Sequence, residues 1–360
     1  MSDRRAFSIP FAVWVVSRLG LLAVSAGALS INGVLERPGG SNALHGVMAL
    51  DALCRWDCSF VEEIATIGYS RAAMTNFFPL LPLLVRGLFV VGVPIHLGLV
   101  IIPNLAALLG YVGVFRAMRH VVSVEAATYG LVLFVAFPFS FFHGAGYPES
   151  LMFCATAWTL AFALEGKSWA AGLALGVGTL TRHLAFLAWP ALVVALVMEL
   201  GVVGTLKSRR LFSLAIPPLV FSGWMAWQWW AFADPLAFLH ARAAWAGDAW
   251  WGVTALFTQP DLQPQLKFYA VFALLPTLAA AWLAQRKTAP FATYAVVYLG
   301  LSWAIGLAGL GRYTASFWPA FLPLGVLVEK RPWLLGPLVM AFAGAQGVFF
   351  TVFAHQFPIL

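Results

Sequence analysis

Apolar runs of about 20 residues, the length that crosses a bilayer as a helix, recur along the whole chain. Such a chain is expected to be all-α and to cross the membrane many times. Composition excludes a soluble fold: 62% of the residues are hydrophobic and 10% charged, against roughly 25% charged in soluble globular domains. Sixteen Trp and thirty Phe suit the many interfacial and lipid-facing positions of a polytopic protein. The formal net charge of +7 comes from short basic clusters between the apolar runs. That distribution orients a protein among membrane lipids and argues against nucleic-acid binding. The first run is long and lacks a small-residue cleavage site, so it reads as a retained anchor rather than a signal peptide. Three cysteines, Cys54, Cys58 and Cys154, are too few for a disulfide framework. Cys54 and Cys58 are spaced to approach each other on one helix turn, and with no His nearby a metal pair there is not expected.

The basic clusters set the expected topology. Arg4 and Arg5 precede the first run, and others follow at Arg116 and Arg119, Lys167, Lys207 to Arg210, Arg286 and Lys287, and Lys330 and Arg331. With all of them cytoplasmic, the spans fall at roughly 7–28, 96–115, 123–142, 149–165, 168–181, 183–200, 211–231, 266–284, 290–309, 313–328 and 333–353. This gives about 11 transmembrane helices in one domain over 1–360, N-terminus inside and C-terminus outside. The run 77–93 is broken by Pro79 and Pro82 and ended by Pro94, so it is read as re-entrant or membrane-lying on the outer side. Two long outer loops result, about 29–95 and 232–265. They and the shorter outer connections carry Asp51, Asp57, Glu62, Glu63, Glu149, Asp234, Asp248 and Asp261. A protein with its long loops and carboxylates on one face is expected to do its chemistry there. The simpler reading is that acids avoid a crowded basic face.

The first outer loop contains LDALCRWDCSFVEEIATIGYS, residues 50–70. Asp51, Arg55 and Glu62 have the spacing of one helix face. Asp57 stands beside Trp56 and Arg55. A carboxylate in such a place can take a proton from a hydroxyl, or it can be a salt-bridged helix residue.

Together with NFFPLLPLLVRGLF (76–89), this stretch resembles the PIG-V-like mannosyltransferases, the family of GPI mannosyltransferase 2 and its bacterial relatives. The matching features are Trp56-Asp57, Ile64-Ala65, Gly68-Tyr69, and Phe77-Phe78-Pro79 through Pro82-Leu83. Tyr147-Pro148-Glu149-Ser150-Leu151 and Ala171-Gly172-Leu173 through Leu180-Thr181-Arg182 follow in order. So do Ala233-Asp234-Pro235-Leu236-Ala237-Phe238 with Trp245, and Gly311-Arg312-Tyr313. The resemblance spans about 50–320. His183 stands where relatives often have Pro or a small polar residue, and Ala233 replaces their usual Gly.

The resemblance implies a GT-C fold and mannose transfer from dolichyl- or polyprenyl-phosphate mannose on the lumenal or periplasmic side. The setting would be a bacterial plasma membrane, or the endoplasmic reticulum of a eukaryote. The acceptor would be a hydroxyl of a glycolipid or glycan, and the first outer loop would supply the catalytic carboxylate. Asp57 is the expected base, with Asp51 and Glu149 as alternates. A cation beside the leaving phosphate lowers the barrier. Arg182 and Arg312 are placed for that role, since Arg suits bidentate phosphate binding; Arg182 could otherwise snorkel. Trp56 and Tyr147 could stack on a sugar ring or belong to the interfacial aromatics. Arg55 and Tyr313 complete the expected substrate-binding set.

Several polar residues have plainer alternatives. Glu149 could bond sugar hydroxyls or cap the next helix. Asp234 before Pro235 suits a helix N-terminus, and His143 reads as a loop residue. Arg18, inside the first span, must face protein or water, as a phosphate contact or in a buried ion pair. Arg86 could touch lipid phosphate. No cluster has zinc spacing, so no cofactor is expected, although the loop acids could hold a divalent cation. A transporter or lipid flippase would need paired broken helices in corresponding halves, and no repeat is visible. A non-catalytic membrane scaffold would tolerate substitution of the loop acids.

Overall fold

Inside hydrocarbon each backbone N–H and C=O must be bonded within the protein, and a single apolar run does this by forming a helix. The computed structural model describes residues 3–32, 50, 52–246, 252–355, 357 and 359, and among these no strand occurs. In chain order the helices are α1 (Asp3–Asn32), α2 (Asp57–Ile67), α3 (Leu80–Val90), α4 (Ile95–Met118), α5 (Val124–Ala136), α6 (Glu149–Leu164), α7 (Ser168–Thr179), α8 (His183–Phe186) and α9 (Trp189–Lys207). They continue as α10 (Ile216–Phe232), α11 (Ala237–Ala246), α12 (Ala255–Thr258), α13 (Pro264–Ala280), α14 (Ala289–Ile305), α15 (Leu310–Ser316), α16 (Phe321–Lys330) and α17 (Leu335–Ala354).

Among the described residues, five stretches are long and apolar enough to cross a membrane: Ala6–Ala28, Ile95–Met118, His183–Lys207, Pro264–Leu283 and Pro332–Ala354. The protein is an integral membrane protein. The expected spans at 123–142, 149–165, 168–181 and 211–231 fold as α5, α6, α7 and α10, of 13, 16, 12 and 17 residues. Each is shorter than the roughly 20 residues that match a bilayer core. Within 77–93, α3 has 11 residues and rises only about 17 Å at 1.5 Å per residue. It exposes Leu83, Phe89 and Val90, and its first N–H bonds the Leu180 carbonyl at 2.9 Å. At this length α3 is too short to cross a bilayer core of about 30 Å by itself.

Two expectations are corrected. The span at 313–328 does not form. α15 ends at Ser316, a 3-10 turn covers Trp318–Ala320, and α16 begins at Phe321. Before it, the helices Ala289–Ala304 and Leu307–Ser316 meet at 114°. Gly306 and Gly309 lie at this bend, and Pro319 interrupts the next turn; both residue types break helices. A Cβ on Gly309 would run into the Tyr313 ring. The shared helix face of Asp51, Arg55 and Glu62 is also absent. α2 starts at Asp57, after Trp56 has turned to φ 54, so Arg55 lies outside the helix that carries Glu62. Asp51 lies outside the described residues.

The core is aromatic. Tyr111 and Phe134 lie 5.6 and 5.3 Å from Phe153, and Phe134 lies 5.3 Å from Phe321, which joins α4, α5, α6 and α16. Small residues permit the close approach that membrane helices need: a Cβ on Gly325 of α16 would strike the Ala126 carbonyl of α5. The basic cluster expected at one face shares an acid, since Glu165 accepts from Arg116 Nη2 at 2.9 Å and Lys167 Nζ at 2.8 Å.

Ala233 closes α10 in the left-handed conformation, φ 55 and ψ 23. Its Cβ makes that conformation unfavourable by roughly 1–2 kcal/mol, a cost that Gly at this position would not carry. Ala233→Gly is expected to stabilise the protein by up to about 1 kcal/mol once the entropy Gly adds to the unfolded chain has been subtracted. The measurement is the melting temperature in detergent, which should rise.

Candidate active site

The site is built around the turn between Leu53 and Asp57. Cys54 and Cys58 are bonded as a disulfide, with Cα atoms 5.3 Å apart. Trp56 stands between them at φ 54 and ψ −111, an unusual backbone for a bulky residue. The turn is tied to the segment before α6. Gly146 N–H donates to Leu53 O at 2.8 Å. The Tyr147 hydroxyl accepts from Asp57 N–H at 3.2 Å and donates to Arg55 O at 2.9 Å. A Cβ on Gly146 would collide with Cys58 Sγ, so the two segments meet this closely because residue 146 has no side chain.

This arrangement presents Asp57 to a cavity that Asn76, Phe78, Arg182, Arg242, Arg312 and Tyr313 help to line. Arg312 Nη1 donates to Asp57 Oδ2 at 2.8 Å and lies 3.8 Å from Glu149 Oε1. Arg182 donates to the same Glu149 oxygen. The Tyr313 hydroxyl accepts from Arg242 Nη1 at 2.9 Å and from Arg182 Nη2 at 3.5 Å. The two guanidinium carbons lie 5.5 and 5.1 Å from the centre of its ring. Arg312 rests 5.4 Å from the rings of Phe142 and Tyr147. Asp57, Arg312, Glu149, Arg182, Tyr313 and Arg242 thus form one connected polar chain. Its members come from α2, α6, α11, α15 and the loop that precedes α8.

The residues singled out from the sequence separate into two groups. Asp57, Arg182, Arg312 and Tyr313 meet at the cavity. Glu149 lies just behind them, fully buried, and it pairs with Arg182 instead of capping α6. Tyr147 is fully buried under the turn and holds its backbone. Arg55 is placed away from the cavity: it is fully buried, with Nε donating to Ala354 O at the end of α17 at 3.0 Å. Trp56 is half-buried, and its indole N–H has no hydrogen-bond partner among the described residues.

The other polar candidates settle elsewhere. Arg18 bonds Asn104 Oδ1 at 3.1 Å and Tyr111 OH at 3.3 Å, and His143 Nδ1 lies 3.2 Å from the same hydroxyl. Arg18 is therefore in a buried hydrogen-bonded network, neither an ion pair nor part of the cavity. Asp234 accepts from Leu236 N–H at 3.0 Å, a helix-start role. Arg86 is exposed on α3. Among the described residues no group of three His, Cys, Asp or Glu is placed to hold a metal ion.

Arg242 is the residue that sequence reasoning missed. Its one signal was location: a basic residue within the long loop 232–265, in a region otherwise rich in acids.

Fold and site together define an all-α membrane protein with a cluster of arginines and carboxylates at a helix break, and the fold is GT-C. No protein-family model matches the chain, and neither does any curated protein. Among solved structures the chain is similar to the Archaeoglobus fulgidus oligosaccharyltransferase in complex with Zn and sulfate, at 15% identity and TM-score 0.51 over 95% of this chain and 53% of that one. The same enzyme tethered to an acceptor peptide containing the NVT sequon matches at 12% identity and TM-score 0.53, over 96% and 55%. The archaeal oligosaccharyltransferase AglB from that organism, in complex with an inhibitory peptide and a dolichol-phosphate, matches at 12% and 0.50, over 99% and 56%. This chain spans about half the length of those proteins. At these identities the likeness shows the fold alone, and it does not reach the PIG-V-like family.

Glu149 is the shared acceptor at the centre of the cluster. Removing one partner of a buried ion pair costs roughly 3–5 kcal/mol, because the remaining charge is left uncompensated. Glu149→Leu is expected to destabilise the protein by about that amount, seen as a large drop in melting temperature in detergent.

Proposed function

We propose that this protein is a membrane glycosyltransferase that moves a hexose from a polyprenyl-phosphate sugar to a hydroxyl of a glycolipid or glycan on the extracytoplasmic face. The sugar is mannose on the strength of the PIG-V-like motifs. The observation that carries the reading is the Asp57–Arg312 pair on the wall of a cavity that also holds Arg182 and Arg242. A carboxylate and several guanidiniums are the two groups that a sugar phosphate and an incoming alcohol require. The neighbouring fold adds support, since one of those structures holds a dolichol-phosphate and another an acceptor peptide.

In this reading the acceptor hydroxyl approaches C1 of the sugar from the side of Asp57, which takes the proton as the oxygen attacks. The bond between C1 and the phosphate oxygen breaks on the opposite face, and the configuration inverts. The electron pair leaves with the lipid phosphate, whose added charge is met by Arg182, Arg242 and Arg312. In the resting site Arg312 is occupied by Asp57. An arriving phosphate competes for that guanidinium and exposes the carboxylate to the acceptor. In this proposal the arginines take the place of a metal ion in an inverting displacement.

The proposed orientation puts the N-terminus in the cytoplasm and the loops 29–95 and 232–265 outside, in one domain. The Cys54–Cys58 disulfide supports it, because such bonds persist in oxidising compartments and are rare in the cytosol.

Asp57→Asn, in membranes that still contain the inserted protein, is expected to lower transfer of labelled hexose from a polyprenyl-phosphate hexose by about 10²–10⁴-fold. Undiminished activity removes Asp57 from the mechanism. Arg242→Gln removes one charge-assisted bond, worth roughly 1.5–3 kcal/mol. It is expected to weaken donor binding about ten- to hundredfold, measured as KM for the lipid donor, with the acceptor KM unchanged.

A further inference from the structure

Cys54 and Cys58 close a ring of five residues, Cys54-Arg55-Trp56-Asp57-Cys58, and the expected base stands inside it. Both cysteines are fully buried, in a small apolar cluster with Val61, Leu81, Val85 and Leu99. Three independent contacts converge on the same five residues. The Arg55 guanidinium is anchored on Ala354 O, the Tyr147 hydroxyl bridges Asp57 N–H and Arg55 O, and Gly146 leaves room for Cys58 Sγ.

A ring this small does little for the stability of the whole chain. Constraint of the unfolded state grows with the length of the closed loop, and this loop is among the shortest possible. What the bond restricts is the local path. Trp56 holds φ 54, and a bulky residue keeps such a conformation only where its surroundings force it. With both ends of the turn bonded through sulfur, fewer backbone paths are open to Trp56 than in the reduced chain. Without that bond, a change at Trp56 swings the next residue, and Asp57 loses its aim at Arg312 and the cavity.

We infer that Cys54 and Cys58 are positioning residues whose disulfide fixes the Trp56-Asp57 turn, so that transfer runs only in the oxidised protein. The inference rests on the glycosyltransferase reading for its activity readout. The switching step is ordinary thiol–disulfide exchange. Dithiothreitol gives two electrons and two protons to the Cys54–Cys58 bond, leaving two thiols, and is itself oxidised to the cyclic disulfide.

The test uses the full chain in lipid nanodiscs, as wild type and as C54A/C58A. Two quantities are read: steady-state transfer from a polyprenyl-phosphate hexose, and backbone hydrogen exchange of peptides spanning 52–67. In the double variant, exchange across 52–67 is expected to speed up. The kcat is expected to fall about a hundredfold, the scale of a misplacement near 1 Å. The donor KM stays near the wild-type value, because Arg182 and Arg242 are untouched. A second arm keeps the question open to refutation if the double variant does not accumulate. Wild type reduced during solubilisation should behave like the variant and recover kcat on reoxidation. Unchanged kcat without the bond overturns the inference, and so does lost kcat with unchanged exchange, or alkylation showing free thiols at both positions in active protein. Wild type that transfers no hexose while oxidised refutes the glycosyltransferase reading instead, and the exchange measurement still decides whether the bond holds the turn.

Discussion

Asp57 and Arg312 are 255 residues apart in sequence and 2.8 Å apart in the fold. A charge leaves water for a low-dielectric interior only when it is met by an opposite charge and further hydrogen bonds. In a chain with so few charges, the arrangement of this cluster therefore dictates much around it. Arg312 is nearly buried and leans on Asp57, on Glu149 and on two aromatic rings. To bring it there, the last part of the chain cannot run straight. The bend at Gly306 and the short α15 are what place residues 312 and 313 at the cavity rather than facing lipid. On the other side, the disulfide-closed turn brings Asp57 in from the opposite end of the chain.

The general architecture was legible because it depends on local properties. Runs of apolar residues fold as helices wherever the surroundings lack hydrogen-bond partners. The shortness of α3 was legible through Pro79, Pro82 and Pro94, which bound helices at fixed places. The break at 306–320 was not legible from the same signals. Apolar residues dominate 290–309 and 313–328 despite Gly306, Gly309 and Pro319, so a bent pair of helices followed by an interrupted one reads as two straight crossings. Four of the expected site residues, Asp57, Arg182, Arg312 and Tyr313, do come together. They were found from motif order, since nothing in their spacing says that they meet.

Arg55 and Arg242 show where such reading fails. Arg55 stands in the most suggestive stretch of the sequence, two residues from Asp57, yet with Trp56 at a positive φ between them Arg55 bonds Ala354 O while Asp57 meets Arg312. Arg242 stands in an unremarkable helix and reaches the cavity because α11 folds back over it. Adjacency in sequence says little about a shared site once a single residue takes a positive φ. The similarity to the Archaeoglobus fulgidus oligosaccharyltransferase, a protein about twice as long, extends over nearly all of this chain. It therefore concerns the membrane architecture as a whole.

Arg18 lies well inside the first helix and bonds groups on α4, 86 and 93 residues further along. A ribosome delivers α1 to the membrane well before Asn104 and Tyr111 exist. During that interval the guanidinium has only the neighbouring Ser17 hydroxyl of its final partners, and a charge left largely unmet in hydrocarbon is unfavourable by at least about 2.5 kcal/mol. The first helix must therefore wait, close to water or to the insertion machinery, until α4 arrives. The order of synthesis thus bears on this hydrogen-bonded pair of helices: the Arg18 side chain meets its Asn104 and Tyr111 partners only once α4 has been made.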